Sequence, residues 1–283
     1  MAGVAVVTDS TSDLPHDLAE ELGIRVVPLS VSFGTETFIS GITIDPPTFY
    51  ERLAASQALP TTSQPTPAWF EEAYADCADD GHEAVVSLHV SAALSGTVAL
   101  ARDRAARAEL PVEVVDTRLV GAPLGLAAIA AQRTALAGGD VAAVLRAVER
   151  VAERVSSLLV VDTLEYLRRG GRLSGAQAMV GSVLRVKPLL HLVDGRVEVA
   201  ERSRTWARAL DRTADLVAET AADDGPLDVV VAHAVAEERA AQLWERLEER
   251  VEIASRLETM IGPIVGTHVG PGAISVAALP VGD

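Results

Sequence analysis

The stretch Gly3-Val-Ala-Val-Val-Thr-Asp-Ser-Thr-Ser-Asp-Leu-Pro-His16, continued through Leu22 and Gly23 to the strand-like run Arg25 to Ser32, decides the fold. Gly3 to Thr8 is a continuous apolar strand that stops at the polar cluster Asp9-Ser10-Thr11-Ser12-Asp13. His16 to Leu22 then reads as a helix, closed by Gly23 before the next strand. The same alternation recurs. Ala84 to His89 is a buried strand followed by Ser91-Ala-Ala-Leu-Ser95-Gly96-Thr97 and a long Ala/Arg helix to about Glu109. Val112 to Val115 is another, ending at Asp116-Thr117 and leading into helical sequence that Gly138-Gly139 interrupts. Strands alternating with helices predict a parallel sheet covered on both faces. The three polar clusters all fall at carboxyl ends of strands, where open α/β sheets bind ligands.

After Arg154 the pattern changes. Ser157 to Val161 reads as a strand, and Leu189 to Val193, Asp194-Gly195 and Val197 to Ala200 form a hairpin around a two-residue turn. Trp206 to Ala222 is an amphipathic helix, and Leu227 to Ala232, the helix Glu237 to Glu249 and the strand Ala273 to Leu279 complete an α+β pattern. The expected organisation is an α/β domain over residues 1–155 and an α+β domain over 156–283, packed directly on each other because no low-complexity linker separates them.

Composition narrows the function. Hydrophobic residues make up 49% of the 283 and aromatic ones only 4%, so the interior is aliphatic and any large cavity suits an oily ligand better than a nucleobase. A formal net charge of -16 repels nucleic-acid phosphates and allows at most transient contact with anionic membranes. Lys187 is the only lysine, which leaves the positive charge to arginine. Cys77 is the only cysteine, so no intrachain disulfide and no multi-cysteine metal cluster can form, as suits a reducing cytoplasm. Neither a secretory leader nor an uninterrupted apolar run of spanning length is visible, and the expectation is a soluble cytoplasmic protein.

Several segments carry chemistry. Asp162-Thr-Leu-Glu-Tyr-Leu-Arg-Arg-Gly-Gly-Arg172-Leu-Ser174-Gly175 joins a strand, a short helix and a Gly-Gly break. Gly170 and Gly171 can take positive φ, Ser174 can cap a following helix, and Arg172 offers a two-pronged donor to a carboxylate or phosphate. The same residues also read as an ordinary helix stop, with Arg168 and Arg169 in the last turn. Thr61-Thr62-Ser63-Gln64-Pro65-Thr66-Pro67 is a hydroxyl-rich loop before a helix starting near Trp69; capping is its plain reading. Ser95-Gly96-Thr97 opens a helix whose N–H groups welcome a carboxylate. His268 lies in the glycine-dense Gly266-Thr-His-Val-Gly-Pro-Gly272, read as a turn. Signatures of an autonomous hydrolase, ATPase, metalloprotease or dehydrogenase are missing.

Seven motifs in order resemble the DegV family across essentially the whole chain: Val7 to Pro15, Thr62-Ser63-Gln64-Pro65, Leu94-Ser95-Gly96-Thr97, Leu164 to Ser174, Val186-Lys187-Pro188-Leu189, Arg202-Ser203-Arg204-Thr205 and His268-Val269-Gly270-Pro271-Gly272. The resemblance implies a two-domain protein with one long-chain fatty acid in a tunnel between the domains. It further implies the acyl-binding subunit of a bacterial fatty acid kinase, with no ATP site, cofactor or metal of its own, whose acyl phosphate feeds phospholipid synthesis. By motif match, Thr62, Ser95 and His268 hold the carboxylate; Ser63, Gly96 and Arg172 belong to the adjacent polar region; Arg204 faces the kinase. Departures occur at Ala92, where the family often has a second serine, and at Gly121 and Pro123, where it often has a serine and a glycine.

Two other functions use the same residues. One is an acyl hydrolase or transferase with Ser95 as nucleophile, His268 as base and Asp9 or Asp116 as its orienter. The other is a lipid-responsive regulatory protein that feeds no kinase. Arg204 also has a plain alternative, an exposed pair with Glu201.

Overall fold

The computed structural model describes residues 3–174, 186–221 and 225–281. Gly175, the helix that Ser174 is expected to cap, and Ala222 lie outside the described residues. In chain order the elements are β1 (Val4–Asp9), a 3-10 turn (Ser10–Ser12), α1 (His16–Leu22), β2 (Arg25–Val27), β3 (Ser30–Phe33), β4 (Glu36–Ile39), α2 (Pro46–Ala55), β5 (Thr61–Ser63), α3 (Pro67–Asp79) and β6 (Ala84–His89). There follow α4 (Thr97–Ala105), β7 (Val112–Asp116), α5 (Ala122–Leu136), α6 (Val141–Arg154), β8 (Ser156–Val160), α7 (Glu165–Arg169), β9 (Lys187–Val193) and β10 (Arg196–Ser203). The chain continues with α8 (Trp206–Ala221), β11 (Leu227–His233), α9 (Glu237–Glu248), β12 (Ile253–Met260), α10 (Pro263–Val269) and β13 (Ile274–Pro280).

Three sheets result. A four-stranded parallel sheet runs β2-β1-β6-β7, a six-stranded sheet runs β10-β9-β8-β13-β11-β12 with only β11 and β12 parallel, and a small antiparallel sheet runs β4-β3-β5. The expected single strand from Arg25 to Ser32 is broken: β2 joins the parallel sheet, and β3 leaves it to pair with β4 and β5. Pro28, which has no N–H for a ladder, stands at the break. The Ala/Arg helix α4 also stops at Ala105, four residues short of Glu109.

The core explains the aliphatic composition. α5 packs against β1 on one side and against β11 and β13 on the other, so it is buried from Ala122 to Ile129 and again at Ala131 and Gln132, with little polar face. Such an all-round apolar helix is stable only when sandwiched. One continuous apolar cluster therefore joins Val6, Leu88, Leu124 and Ala128 to Leu190, Val230 and Ala277 of the six-stranded sheet. α8 and α9 cover the far face of that sheet, around the buried Trp244. α3 and α4 cover the far face of the parallel one. Gly121 and Pro123, two of the departures, suit their positions. Gly121 precedes α5 at φ 73°, a conformation that favours glycine, and Pro123 lies in the first helical turn.

A fully buried polar chain crosses the parallel sheet. Asp9 Oδ2 accepts from the His89 ring (Nδ1, 3.0 Å) and from Val90 N–H (3.0 Å), while Oδ1 accepts from the Thr11 hydroxyl at 2.7 Å. His89 Nε2 lies 2.7 Å from Ser87 Oγ, which lies 3.0 Å from Tyr74 Oη. Burial opposes a charge on Asp9, but these hydrogen bonds outweigh it and hold the carboxyl below its ordinary range. Truncation to Asp9→Ala strands four donors at once, the Thr11 N–H (3.0 Å) as well as the His89 ring, the Val90 N–H and the Thr11 hydroxyl, at about 1 to 3 kcal/mol for each that finds no other partner. The expected loss in urea unfolding is at least about 3 kcal/mol, against less than about 0.5 kcal/mol for His16→Ala at the exposed His16–Glu20 pair.

Candidate functional site

A narrow cavity lies between the two large sheets. Its volume is about 110 Å³. Its walls include Leu29, Val90, Val120, Leu159, Leu190, Leu192, Val197, Ile261, Ile264 and Val265. Its hydroxyl and charged lining includes Thr62, Ser63, Ser95, Arg172 and His268.

Those five come from four separate segments, and specific contacts bring them together. Thr62 is a strand residue rather than part of a loop: β5 pairs it with Val31. Its hydroxyl lies 2.9 Å from His268 Nε2. His268 is likewise not in a turn. Gly262 and Pro263 start α10, which carries His268 on its last turn, and the chain turns only at Gly270, with φ 76°. The ring lies where a side chain at Gly170 would begin, so Gly170 is required for space; its φ of -71° is ordinary, and only Gly171 takes a positive φ. The Gln64 side chain in turn fills the place of a Cβ at Gly96, which draws the β5 loop onto the start of α4. Ser95 Oγ lies 2.8 Å from Thr97 Oγ1 and accepts weakly from Thr97 N–H at 3.4 Å.

Arg172 uses its donors inside the protein. Its Nε donates to Leu94 O at 3.2 Å and its Nη1 to Gly170 O at 2.6 Å. The guanidinium ties the turn after α7 to the loop bearing Ser95, and it supplies positive charge at the cavity wall. Arg168 and Arg169 pair with Glu165 instead. Arg204 is exposed, and the carboxylate of Glu201 pairs with Arg212 at 2.9 Å. Lys187 pairs with Asp162, which also accepts from Trp206 Nε1 (3.0 Å) and Arg239 Nη1 (3.2 Å).

Burial, helped by the Arg172 charge, pushes the His268 imidazole down to about 4, so it is neutral at physiological pH. Nδ1 is buried without a hydrogen bond. The tautomer with its proton on Nε2 avoids a stranded donor there, and in it His268 donates to Thr62. The Thr62 proton is then free to point into the cavity. Neither proposed acid orients His268. Asp9 is bound to His89, and Asp116 Oδ1 accepts from Ala92 N–H (3.1 Å) and Arg118 N–H (3.2 Å).

Motif reasoning assigned no role to Gln64 or Asp13, yet both belong to the lining. Asp13 sits at φ 53°, 7% exposed, with Oδ1 accepting from Gly262 N–H at 2.9 Å. Burial, with a smaller contribution from the charge of Asp9, pushes its carboxyl up to about 8. Its place at the carboxyl end of β1 was a visible signal; its burial was not.

These shifts fix a pH dependence. The unfolded chain releases the Asp13 proton near pH 4 and the folded chain near 8, so this group makes stability fall as pH rises between those values. His268 acts oppositely and only lower down, since the unfolded imidazole takes up a proton below about 6.5 and the folded one below about 4. Between pH 6.5 and 8 Asp13 acts without this opposition. In urea melts over that window, the stability of Asp13→Asn minus that of the wild type should grow by about 1.4 kcal/mol per pH unit at its lower end, falling to about half that near pH 8. A constant difference would mean that the carboxyl is already ionised.

The comparisons with known proteins agree with this architecture. The family described as uncharacterised protein, DegV family, matches residues 3–281. A DegV domain-containing protein of Streptomyces coelicolor is 43% identical over 274 residues, covering 96% of this chain and 97% of that one. A DegV family protein from Thermus thermophilus, solved as a fatty-acid-binding protein, is 35% identical with a TM-score of 0.92, covering 99% of this chain and all of that one. DegV of Bacillus subtilis, solved as a fatty acid binding protein, is 33% identical with a TM-score of 0.88 over 99% of both chains. The combination of a parallel-sheet part and an α+β part matches these solved relatives, and the chain belongs to the DegV family.

Proposed function

We propose that this protein binds one long-chain fatty acid in the cavity between its sheets and presents the carboxylate to a separate ATP-dependent kinase subunit in the cytoplasm. The observation that carries this reading is the pairing of a narrow aliphatic cavity with the Thr62–His268 hydrogen bond in its wall. Each buried methylene contributes roughly 0.8 kcal/mol, so a tail of about a dozen supplies roughly 10 kcal/mol before ordering costs. The head group needs donors, because a carboxylate stripped of water is costly unless hydrogen-bonded. Thr62, polarised by neutral His268, and Ser95 supply them, with Ser63, Gly96 and the charge of Arg172 beside them. That two solved relatives bind fatty acid supports the same assignment here.

The arrangement suits phosphoryl transfer in trans. Hydroxyl donors hold the carboxylate without a direct ion pair, so one oxygen keeps the electron pair with which it attacks the terminal phosphoryl group of ATP on the partner. The new bond joins that oxygen to phosphorus, the bond to the leaving ADP breaks, and the acyl phosphate passes to phospholipid synthesis. We place the division between the two domains at residues 155 and 156, with the cavity between 1–155 and 156–283, and Arg204 on the kinase-facing surface of the second. An acyl hydrolase using Ser95 and His268 fits less well, because Ser95 is bonded to Thr97 and His268 has no carboxylate on Nδ1. A regulatory protein without a kinase would use the same pocket and differs only in the partner test below.

Mass spectrometry of an organic extract of the purified protein should find one fatty acid near stoichiometry. Thr62→Ala and Ser95→Ala should each weaken its retention roughly 5- to 100-fold, the price of an unpaired buried acceptor, while the ligand-free melting temperature changes little. Heavy loss of stability with normal occupancy would return both hydroxyls to a capping role.

Arg204→Ala, at an exposed position, should leave the bound fatty acid unchanged and sharply lower acyl phosphate formation when a cognate kinase and ATP are supplied. Unchanged turnover would remove Arg204 from the partner surface. Absence of turnover with every kinase tried, despite bound lipid, would favour the regulatory reading.

A further inference from the structure

The Asp13 carboxyl does more than its structural bond requires. Oδ1 takes the Gly262 N–H and so fastens the turn after β1 to the start of α10. Oδ2 makes no hydrogen bond among the described residues, although the side chain is more than nine-tenths buried and forms part of the cavity wall beside Gly121. An oxygen that faces the cavity and meets no protein donor is free to bond a polar group of whatever the cavity holds. Two more hydroxyls line the cavity. Ser275 pairs with Leu159, and Ser157 with Ala277, which puts both on the sheet face that carries Leu159 toward the cavity; neither has a side-chain hydrogen bond among the described residues.

We propose that the cavity holds a second polar subsite at Asp13, which receives a hydroxyl or oxo group carried part-way along the acyl chain. This rests on the fatty-acid reading and names a ligand class within it: mid-chain oxygenated fatty acids. The position follows from α10. Gly262 and His268 stand six residues apart at 1.5 Å per residue, so Asp13 lies about 9 Å along the helix axis from the head-group end, a distance spanned by several methylenes. Because burial keeps its carboxyl protonated near neutral pH, Asp13 can donate to an oxo group or hydroxyl oxygen, and Oδ2 or a serine can accept a hydroxyl proton. An ionised acid here would instead demand a cation, and none pairs with it among the described residues.

The test is a displacement assay on delipidated full-length protein with octadecanoic acid and its hydroxy derivatives substituted near the carboxyl, mid-chain and at the terminus. The expected result is a preference of roughly tenfold for the mid-chain derivatives over octadecanoic acid. In Asp13→Ala that ratio should fall toward one, and Asp13→Asn, which keeps a donor and tolerates positive φ, should restore much of it. If Asp13→Ala fails to fold, the positional series in the wild type and the asparagine variant still decide. Equal binding of octadecanoic acid and every hydroxy isomer would overturn the subsite and leave fatty-acid binding standing. Failure of all the acids to bind would overturn both.

Discussion

The turn from Asp9 to Asp13 is the joint on which the structure hangs. Asp9 holds the end of β6 through His89 and Val90, and the Ser10 hydroxyl accepts from Leu29 N–H at 3.0 Å, fixing the approach to β3. Thr11 O accepts from Gly121 N–H at 2.7 Å at the start of α5, and Gly125 lets that helix come so near that a Cβ would stand 2.7 Å from Ser12 O. Asp13 then reaches the other half of the chain, with Oδ1 taking Gly262 N–H and its carbonyl taking the Thr259 hydroxyl at 3.0 Å. Five consecutive residues thus orient two sheets and the helix between them. Buried polar groups are costly unless hydrogen-bonded, and the partners of Asp9, Ser10, Thr11 and Asp13 lie on different elements, so satisfying them also specifies the packing.

The polar end of the cavity follows from close approach. α7 and α10 touch through glycines: Gly170 makes room for the His268 ring and Gly270 for the Tyr166 ring. Gly96 makes room for Gln64. These contacts bring Thr62, Ser95 and His268 into the wall of one cavity, most of whose remaining lining is aliphatic, with Asp13, Ser157 and Ser275 among the exceptions. Hydroxyls backed by a neutral imidazole are the donors that the proposed carboxylate needs, in a chain whose net charge of -16 would otherwise repel it. Arg172 contributes its charge while its donors stay on Leu94 and Gly170, so it stiffens the site as well as biasing it.

Hydrophobic periodicity and glycine punctuation make most of the elements legible in the chain itself. α1 and β6 fall where apolar spacing and Gly23 or the flanking polar clusters put them, and the β9–β10 hairpin turns at Asp194-Gly195, both with positive φ. Two expectations about the site failed for a shared cause. Thr61 to Ser63 resembles a loop because three hydroxyl residues have no apolar alternation, yet the exposed edge of β3 recruits them as a strand. His268 resembles a turn residue because glycines surround it, yet Gly262 and Gly270 bound a helix whose interior glycine, Gly266, packs against Phe49 and Tyr50. In both cases tertiary contact overrides local propensity.

By itself the sequence determined the alternation of strands and helices, the change of pattern after Arg154, the aliphatic character of the interior and the order of the motifs, because each is encoded in neighbouring residues. Only the tertiary structure decided what those motifs touch. Thr62 and His268 are 206 residues apart and 2.9 Å from each other, and Asp13 meets Gly262 across 249 residues. The ionisation of these groups is likewise a tertiary property, since desolvation depends on everything packed around them. The same kind of side chain is held charged at Asp9, among four donors, and neutral at Asp13, with one.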